Sequence, residues 1–168
     1  MKIKGITDED FVNYKIPSMY IAMATCDFKC DRECGMQVCQ NSGLAKQPTI
    51  SVFISDLVER YIRNDITGAI VFGGLEPFDQ FSSLWLFILT VRVIYEIKDD
   101  IVIYTGYTKE ELDSWFPEKN DMSVLERLKT FENIVVKFGR YIPGQKPHYD
   151  EVLGVHLASD NQYAERIS

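Results

Sequence analysis

The sequence has no cysteine outside one short loop. All four of its cysteines, Cys26, Cys30, Cys34 and Cys39, fall within the run TCDFKCDRECGMQVCQNS. Disulfides that stabilise a fold join distant segments, whereas cysteines this close together are placed to hold a single inorganic centre. We therefore expect the chemistry of the protein to lie at this loop.

The sequence also lacks a basic excess. It has 18 lysines and arginines against 25 aspartates and glutamates, which gives a formal net charge of −7. Proteins that bind a phosphate backbone carry a basic excess on at least one face. We therefore predict no nucleic-acid partner.

A long apolar run is missing as well. Residues 81–95 form the most apolar stretch, but Ser82, Ser83, Thr90 and Arg92 interrupt it. It is also shorter than the roughly 20 residues of a membrane span, so we predict a core helix and no membrane partner. The first residues, MKIKGITDEDF, carry acids where a secretory signal would be apolar, so we expect a cytoplasmic protein whose thiolates stay free to bind metal.

The length and composition indicate one domain over residues 1–168. A chain of 168 residues with 46% hydrophobic residues can bury a substantial core but leaves little room for a second one. The two histidines, His148 and His156, have no nucleophile pattern around them. We interpret them as surface or strand residues.

Strand and helix patterns alternate along the chain. Strands are predicted over residues 18–24, 68–72, 101–104 and 133–138, with a late strand over 152–157; helices are predicted over 54–62, 80–97, 109–116 (capped by Thr108) and 123–130. This alternation is typical of an α/β fold with a mostly parallel sheet of βα units, whose functional loops gather at the carboxyl ends of the strands. The cysteine loop and the Gly73-Gly74 and Thr105-Gly106 pairs occupy such ends.

Three interpretations of the cysteine loop remain open at this point. The spacings are three, three and four intervening residues. Tetrahedral zinc sites usually separate two close pairs of ligands by a longer loop, so one continuous run fits zinc less well than an iron–sulfur cluster. A redox or disulfide loop is the third interpretation.

A second feature follows the buried strand over residues 68–72. Paired glycines in Gly73-Gly74-Leu75-Glu76-Pro77 allow the backbone to approach a ligand closely, and Glu76 can offer a carboxylate to a cationic amine. The alternative is an ordinary strand-to-helix turn, for which glycine pairs are common.

Together, the Cys-x3-Cys loop after one strand and the GG-x-E-P turn after the next resemble the radical S-adenosylmethionine enzymes. The resemblance implies two cofactors, a 4Fe-4S cluster and S-adenosyl-L-methionine. Three cysteines would bind three irons, and the fourth iron would chelate the amino and carboxylate groups of S-adenosylmethionine. It also implies a sheet that forms a partial, open βα barrel.

Further stretches resemble one branch, the activating proteins of anaerobic ribonucleoside-triphosphate reductase. They are SMYIAMATC, the Cys39-Gln40-Asn41 ending, IVIYTGYTKEEL, VKFGRYI and SDNQ, in the order and spacing of that branch. The resemblance implies that the protein cleaves S-adenosylmethionine to a 5′-deoxyadenosyl radical and installs a glycyl radical on a partner reductase. A flavodoxin or ferredoxin would be the electron donor.

The third cluster ligand departs from the family pattern, which is Cys-x3-Cys-x2-Cys. Cys26 and Cys30 match the first pair. Matching Val38-Cys39-Gln40-Asn41 to the family's apolar-Cys-x-Asn ending makes Cys39 the third ligand, and proximity alone would favour Cys34 as the alternative. The glycine turn carries an additional Leu75, and KFGR stands where the branch usually has an aspartate–glycine pair.

The resemblance also assigns cofactor contacts, and it implies no catalytic residue beyond the cluster ligands. Gly73, Gly74 and Glu76 would hold the methionyl amine, the Val38 region would contact adenine, and Thr105 with Asn161 or Gln162 would line the cleft. Two other functions compete: a small radical enzyme of this superfamily that acts on a peptide or metabolite, and a non-catalytic iron–sulfur or zinc adaptor.

Overall fold

The computed structural model describes residues 1–115 and 122–168. Its strands are β1 (Lys2–Asp10), β2 (Ser18–Met23), β3 (Ile50–Ser51), β4 (Ala69–Gly74), β5 (Asp100–Tyr104), β6 (Ile134–Phe138), β7 (His148–Asp150), β8 (Val155–Leu157) and β9 (Tyr163–Arg166). Its helices are α1 (Lys29–Cys34), α2 (Ser42–Ala45), α3 (Ile54–Ile62), α4 (Phe81–Leu89), α5 (Lys109–Asp113) and α6 (Val124–Leu128), with a 3₁₀ turn at Pro77–Gln80 before α4 and a π-helical turn at Thr90–Ile94 after it.

The described residues form a seven-stranded sheet in the order β3-β1-β2-β4-β5-β6-β9. Its central strands β2, β4, β5 and β6 are parallel, whereas β1, β3 and β9 join antiparallel to their neighbours. The predicted α/β class is confirmed, and the parallel arrangement holds for the centre of the sheet. Because β3 and β9 are edges, the sheet is not closed into a barrel; its description as a partial barrel stays a prediction.

The larger hydrophobic core lies between one face of the sheet and the helices. Successive strand residues point to opposite faces, so Ile70 and Phe72 of β4 face the same layer as Phe87 of α4. The rings of Phe72 and Phe87 meet edge to face with centroids 5.0 Å apart. Helices α3, α4 and α6 all contribute to this core, as expected when successive right-handed crossovers proceed in one direction along a sheet.

A smaller core covers the opposite face. Val71, Val102 and Val135 pack there against Tyr14, which lies in the connection between β1 and β2, and against Leu157 of β8. The antiparallel β7–β8 hairpin belongs to this layer. A pocket lies where the layer meets the carboxyl ends of the parallel strands.

Several helix predictions match and others need correction. Helix α3 occupies the predicted range, and Thr108 caps α5 through a capping box with Glu111, as predicted. The helix predicted over residues 80–97 begins within one residue of α4, but it is wrong at its C-terminal end, because the π-helical turn ends at Ile94. Glu96 then has a φ of 53°, which no helix accommodates. Helix α5 ends at Asp113, so the prediction over 109–116 is wrong at residues 114–115. Residue 116 and the break predicted over 117–121 fall outside the described residues.

The strand predictions missed the antiparallel elements. Strand β4 runs on through the glycine pair, and the strand predicted over residues 152–157 is only β8, preceded by a turn. Strands β1 and β9 were not predicted, because their polar, irregular sequences lack the apolar alternation of the central strands. No helix in the described ranges is long and apolar enough to span a membrane.

Candidate metal centre

The cysteine loop leaves the carboxyl end of β2 through a tight turn. Phe28 has a φ of 54°, and its N–H donates to the Cys26 Sγ at 3.3 Å. Helix α1 then carries Cys30 and Cys34, and it ends at Gly35, whose φ of 64° favours glycine. The chain thereby reverses before it reaches Cys39.

Asp31 holds the second half of this loop against the first. Its Oδ1 accepts hydrogen bonds from the N–H groups of Val38 and Cys39, both at 2.8 Å. The Cys30 Sγ lies 3.8 Å from the same oxygen. These charge-assisted hydrogen bonds hold Cys39 close to Cys30, so that the two thiols lie within hydrogen-bonding distance of each other.

The end of the loop is tied to the end of β4. The Asn41 Nδ2 donates to the Gly74 carbonyl at 2.5 Å. Gly74 has a φ of 80°, and a Cβ there would lie 2.7 Å from the Leu44 Cδ2 and 3.2 Å from the Ala22 Cα. Any other residue there would strain the backbone and push the Leu44 side chain of α2 aside. The glycine turn therefore packs closely against the segment that follows the cysteine loop.

A pocket of about 330 Å³ opens at the carboxyl ends of β2, β4, β5 and β6. This is at the lower end of the roughly 300–1,000 Å³ typical of small-molecule sites. The structure brings most of the predicted site residues together on its wall: Cys26, Cys30, Cys39, Gly74, Glu76, Thr105 and Gln162.

Four predicted site residues do not line this pocket. Cys34 is exposed and lies outside it. Gly73 is covered by Tyr20, whose hydroxyl would be 2.8 Å from a Cβ at that position. Val38 lies within the cysteine loop, where its N–H donates to the Asp31 Oδ1, and its contact with adenine stays a prediction. Asn161 also lies off the wall; its Nδ2 donates to the Arg140 carbonyl at 2.8 Å.

Burial disfavours the thiolate form of two of the thiols on the wall, those of Cys26 and Cys30. Burial raises the pKa of Cys26 to about 11 and that of Cys30 to about 12. Cluster ligands bind as thiolates, so iron must displace these protons. Among the described residues, no group of three or more His, Cys, Asp or Glu side chains is arranged to hold a metal ion.

Glu76 is the buried carboxylate of the site and is 7% exposed. Its Oε1 accepts from the Phe78 N–H at 3.1 Å and the Thr105 hydroxyl at 2.8 Å, and its Oε2 accepts from the Gly106 N–H at 2.9 Å. Burial raises the pKa of Glu76 to about 7, although these hydrogen bonds favour the ionised form. Glu76 therefore joins the ends of β4 and β5 and leaves one lone pair of Oε2 for a ligand.

A charged network closes one side of the pocket. The Arg140 Nη2 donates to the Glu111 Oε1 at 2.8 Å, and Lys29 also pairs with Glu111. Burial opposes ionisation of Glu111, but hydrogen bonds from Arg140 and Lys29 lower its pKa to about 2. These pairs tie α1 to α5 and to the chain after β6. Glu33, 3.6 Å from both cations, supplies the second negative charge that balances them.

Sequence reasoning missed several residues on the pocket wall. Tyr20, Tyr104 and Lys137 come from β2, β5 and β6, on the face opposite the helices. Lys137 is the one charged residue in the apolar run NIVVKF, and this was the signal that could have identified it. Nothing in the sequence marks Asp31, whose role depends on the path of the folded loop.

A wider groove lies on the other side of Cys26. It has a volume of about 980 Å³ and shares Cys26, Asp27 and Leu75 with the pocket. Apolar side chains, among them Phe28 and Phe78, line it together with Asp79. The groove therefore reaches Cys26 from a side that the pocket does not occupy.

Comparison with known proteins gives one family. The model of a family described as a 4Fe-4S single cluster domain matches residues 18–150, which is well over half of the chain. The match begins at β2 and includes all four cysteines, the glycine turn and β6. A comparison with curated proteins and one with solved structures found no match.

Proposed function

Because the chain belongs to the 4Fe-4S single cluster domain family, we propose that Cys26, Cys30 and Cys39 hold the cluster and that the protein uses it to cleave S-adenosylmethionine reductively. One observation carries this proposal. These three cysteines line the same pocket as Glu76 and Thr105, at the carboxyl ends of the parallel strands. The resemblance of the cysteine and glycine motifs to radical S-adenosylmethionine enzymes supports it.

The donor set fits a cluster with one iron open to a ligand. Among the described residues no three donors converge on a single metal ion, but the cysteines of a cluster bind different irons and need only line one cavity. Three thiols share one cavity, whereas the fourth, on Cys34, points to solvent outside it. A cluster with four protein ligands can pass electrons, but an open iron is needed to hold a substrate. When bound, the cluster would supply one electron to S-adenosylmethionine, giving methionine and a 5′-deoxyadenosyl radical.

The protein's own residues bind and orient the cofactor in this proposal. Glu76 accepts a hydrogen bond from the methionyl amine through the free lone pair of its Oε2. Thr105 and Gly106 hold that carboxylate in place. Gly74 lines the pocket and lets the end of β4 pack against Leu44, which keeps the turn that carries Glu76 in place.

The proposed substrate is a glycine residue of a partner enzyme, an anaerobic ribonucleotide reductase, on which the protein installs a glycyl radical. The resemblance of IVIYTGYTKEEL and SDNQ to the activating proteins supports this branch. The open groove of about 980 Å³ beside Cys26 offers room for a polypeptide segment to reach the site. A flavodoxin or ferredoxin is the proposed electron donor.

The test of the chemistry is anaerobic reconstitution with iron and sulfide. We expect about four irons to bind, and dithionite with S-adenosylmethionine to yield 5′-deoxyadenosine. Cys39→Ala should lose the cluster, whereas the matched variant Cys34→Ala should keep both cluster and cleavage. Retention of the cluster in Cys39→Ala would overturn the ligand assignment.

Two other results would redirect the proposal. A stable cluster without cleavage would indicate an iron–sulfur adaptor, and tight zinc without a cluster would contradict the cofactor. For the partner, the reductase is incubated with the reduced protein and S-adenosylmethionine, and a glycyl radical signal is sought by electron paramagnetic resonance. Cleavage without that signal would indicate a peptide or metabolite as the substrate.

A further inference from the structure

Lys137 is a buried cation in the wall of the pocket. Strand β6 is buried along its whole length, and Lys137 is 6% exposed. Its neighbours Val136 and Phe138 face the helices, so alternation places Lys137 on the opposite face. There it lines the pocket with Cys26 and Glu76.

The contacts of Lys137 leave its charge without a counterion. Its Nζ donates to the Gly139 carbonyl at 2.7 Å, the one hydrogen bond that it makes to the described residues. An ammonium has three donors, and burying one without a paired anion costs several kcal/mol. Burial accordingly lowers the pKa of Lys137 to about 8. A buried ammonium without a paired anion at the wall of a pocket indicates that the pocket binds a ligand with an anionic group.

The other cations at the pocket are already paired. Arg140 and Lys29 share Glu111, and Arg140 also lies over the Tyr107 ring with its guanidinium carbon 5.5 Å from the ring centroid. Lys137 forms no ion pair in the described part of the chain, although the charge of Glu76 acts on it across the pocket. Lys137 is therefore the cation available to a ligand.

Lys137 and Glu76 together present one buried cation and one buried carboxylate to the same cavity. Lys137 has hydrogen-bond donors to spare, and Glu76 has a lone pair to spare on Oε2. A ligand group that carries both a carboxylate and an ammonium complements the two. The α-amino-acid group is the smallest common group of this kind.

We propose that Lys137 binds the carboxylate of an α-amino-acid group in the pocket while Glu76 binds its ammonium. The inference rests on the proposed function where it takes S-adenosylmethionine as the ligand. A carboxylate has two oxygens, so one would be left for Lys137 if the other bound the cluster. Lys137 thus makes the pocket selective for the carboxylate-bearing form of the ligand.

The test compares two probes on the reconstituted protein by anaerobic calorimetry. The probes are S-adenosylmethionine and its decarboxylated form, which keeps the amine and the sulfonium. A hydrogen bond to a charged group contributes about 1.5–3 kcal/mol, or roughly 10–100-fold in affinity. Lys137→Met should lower the affinity for S-adenosylmethionine by that factor and leave the affinity for the decarboxylated probe unchanged.

The control is the same substitution at a paired cation away from the pocket. The Lys109 ammonium lies 2.5 Å from the Glu165 carboxylate, so Lys109→Met should change neither affinity. Replacing a buried ammonium by an apolar side chain removes a desolvation cost, so Lys137→Met should fold. Lys137→Gln, which is neutral but polar, provides a second variant and should show the same selective loss.

The outcomes separate this inference from the proposed function. Equal losses for both probes in Lys137→Met and Lys137→Gln would mean a structural role, and an unchanged affinity for S-adenosylmethionine would mean no contact. Either result overturns the assignment of Lys137 and leaves cofactor binding intact. Failure of the unsubstituted, cluster-loaded protein to bind S-adenosylmethionine would overturn the proposed function and this inference with it.

Discussion

Replacing Asp31 should release Cys39 from the cluster without unfolding the protein. Asp31 accepts two backbone hydrogen bonds from the far side of the loop, both at 2.8 Å. Hydrogen bonds to a charged group contribute about 1.5–3 kcal/mol each when buried, and less where water competes. Because Asp31 is only half-buried, we take about 2 kcal/mol for the pair, or roughly a thirtyfold change in the open population of the loop.

The assay is the rate at which an iron chelator removes the cluster, followed by visible absorbance under anaerobic conditions. Asp31→Ala should lose the cluster about thirtyfold faster than the unsubstituted protein. Asp31→Asn keeps one acceptor oxygen without the charge, so its rate should lie between the two. Helix α1 buries no residue, so both apoproteins should stay folded, with a thermal midpoint lowered by no more than about 4–8 °C.

Glu33→Ala is the matched control on the same helix. Glu33 pairs with Lys29 and Arg140 at 3.6 Å, and about half of its side chain is exposed. Exposed pairs of this kind contribute about 0–1 kcal/mol, so its chelation rate should change little. Loss of the cluster from Asp31→Ala at the unsubstituted rate would refute the role of Asp31 and weaken the case for Cys39 as a ligand.

The remaining predictions concern the glycine turn. Gly74→Ala should destabilise the protein by at least about 1–2 kcal/mol in urea unfolding, because its positive φ and the contact with Leu44 both exclude a Cβ. Gly43→Ala should leave the stability unchanged, because its Cβ would meet nothing within 4 Å. Equal losses of stability in Gly74→Ala and Gly43→Ala would contradict this reasoning. Burial raises the pKa of Glu76 from 4.5 to about 7. As the pH rises, the unfolded chain therefore loses the Glu76 proton before the folded protein does. The free energy of unfolding of the apoprotein should fall by about 3 kcal/mol between these two pKa values. Glu76→Gln should remove that contribution to the pH dependence of urea unfolding, and an unchanged slope would speak against the assigned burial.

The central elements of the fold could be predicted because their signals are local. The strands before the cysteine loop, the glycine turn and Thr105 are short apolar runs, and the capping box of Thr108 and Glu111 is contained within four residues. The edge strands β1 and β9 could not be predicted, because their pairing with β2 and β6 comes from neighbours in space rather than from their own pattern.

Some features of the candidate site could likewise be predicted from the sequence, and others could not. The sequence by itself determined that four cysteines lie on one loop, that this loop and Glu76 follow successive strands of the sheet, and that the chain carries the motifs of a 4Fe-4S family. Spacing along the chain could not place Cys39 and exclude Cys34 from the pocket, because that depends on the hydrogen bonds of Asp31 across the loop.

Only the tertiary structure decided that Lys137 is a pocket residue. In the sequence it is one charge in a strand, and a strand residue can face either layer of the fold. Its burial and its proximity to Glu76 arise because β4 and β6 flank β5 in the sheet and end at the same edge. Local pattern depends on neighbours along the chain, whereas a pocket depends on which strand ends the sheet brings together.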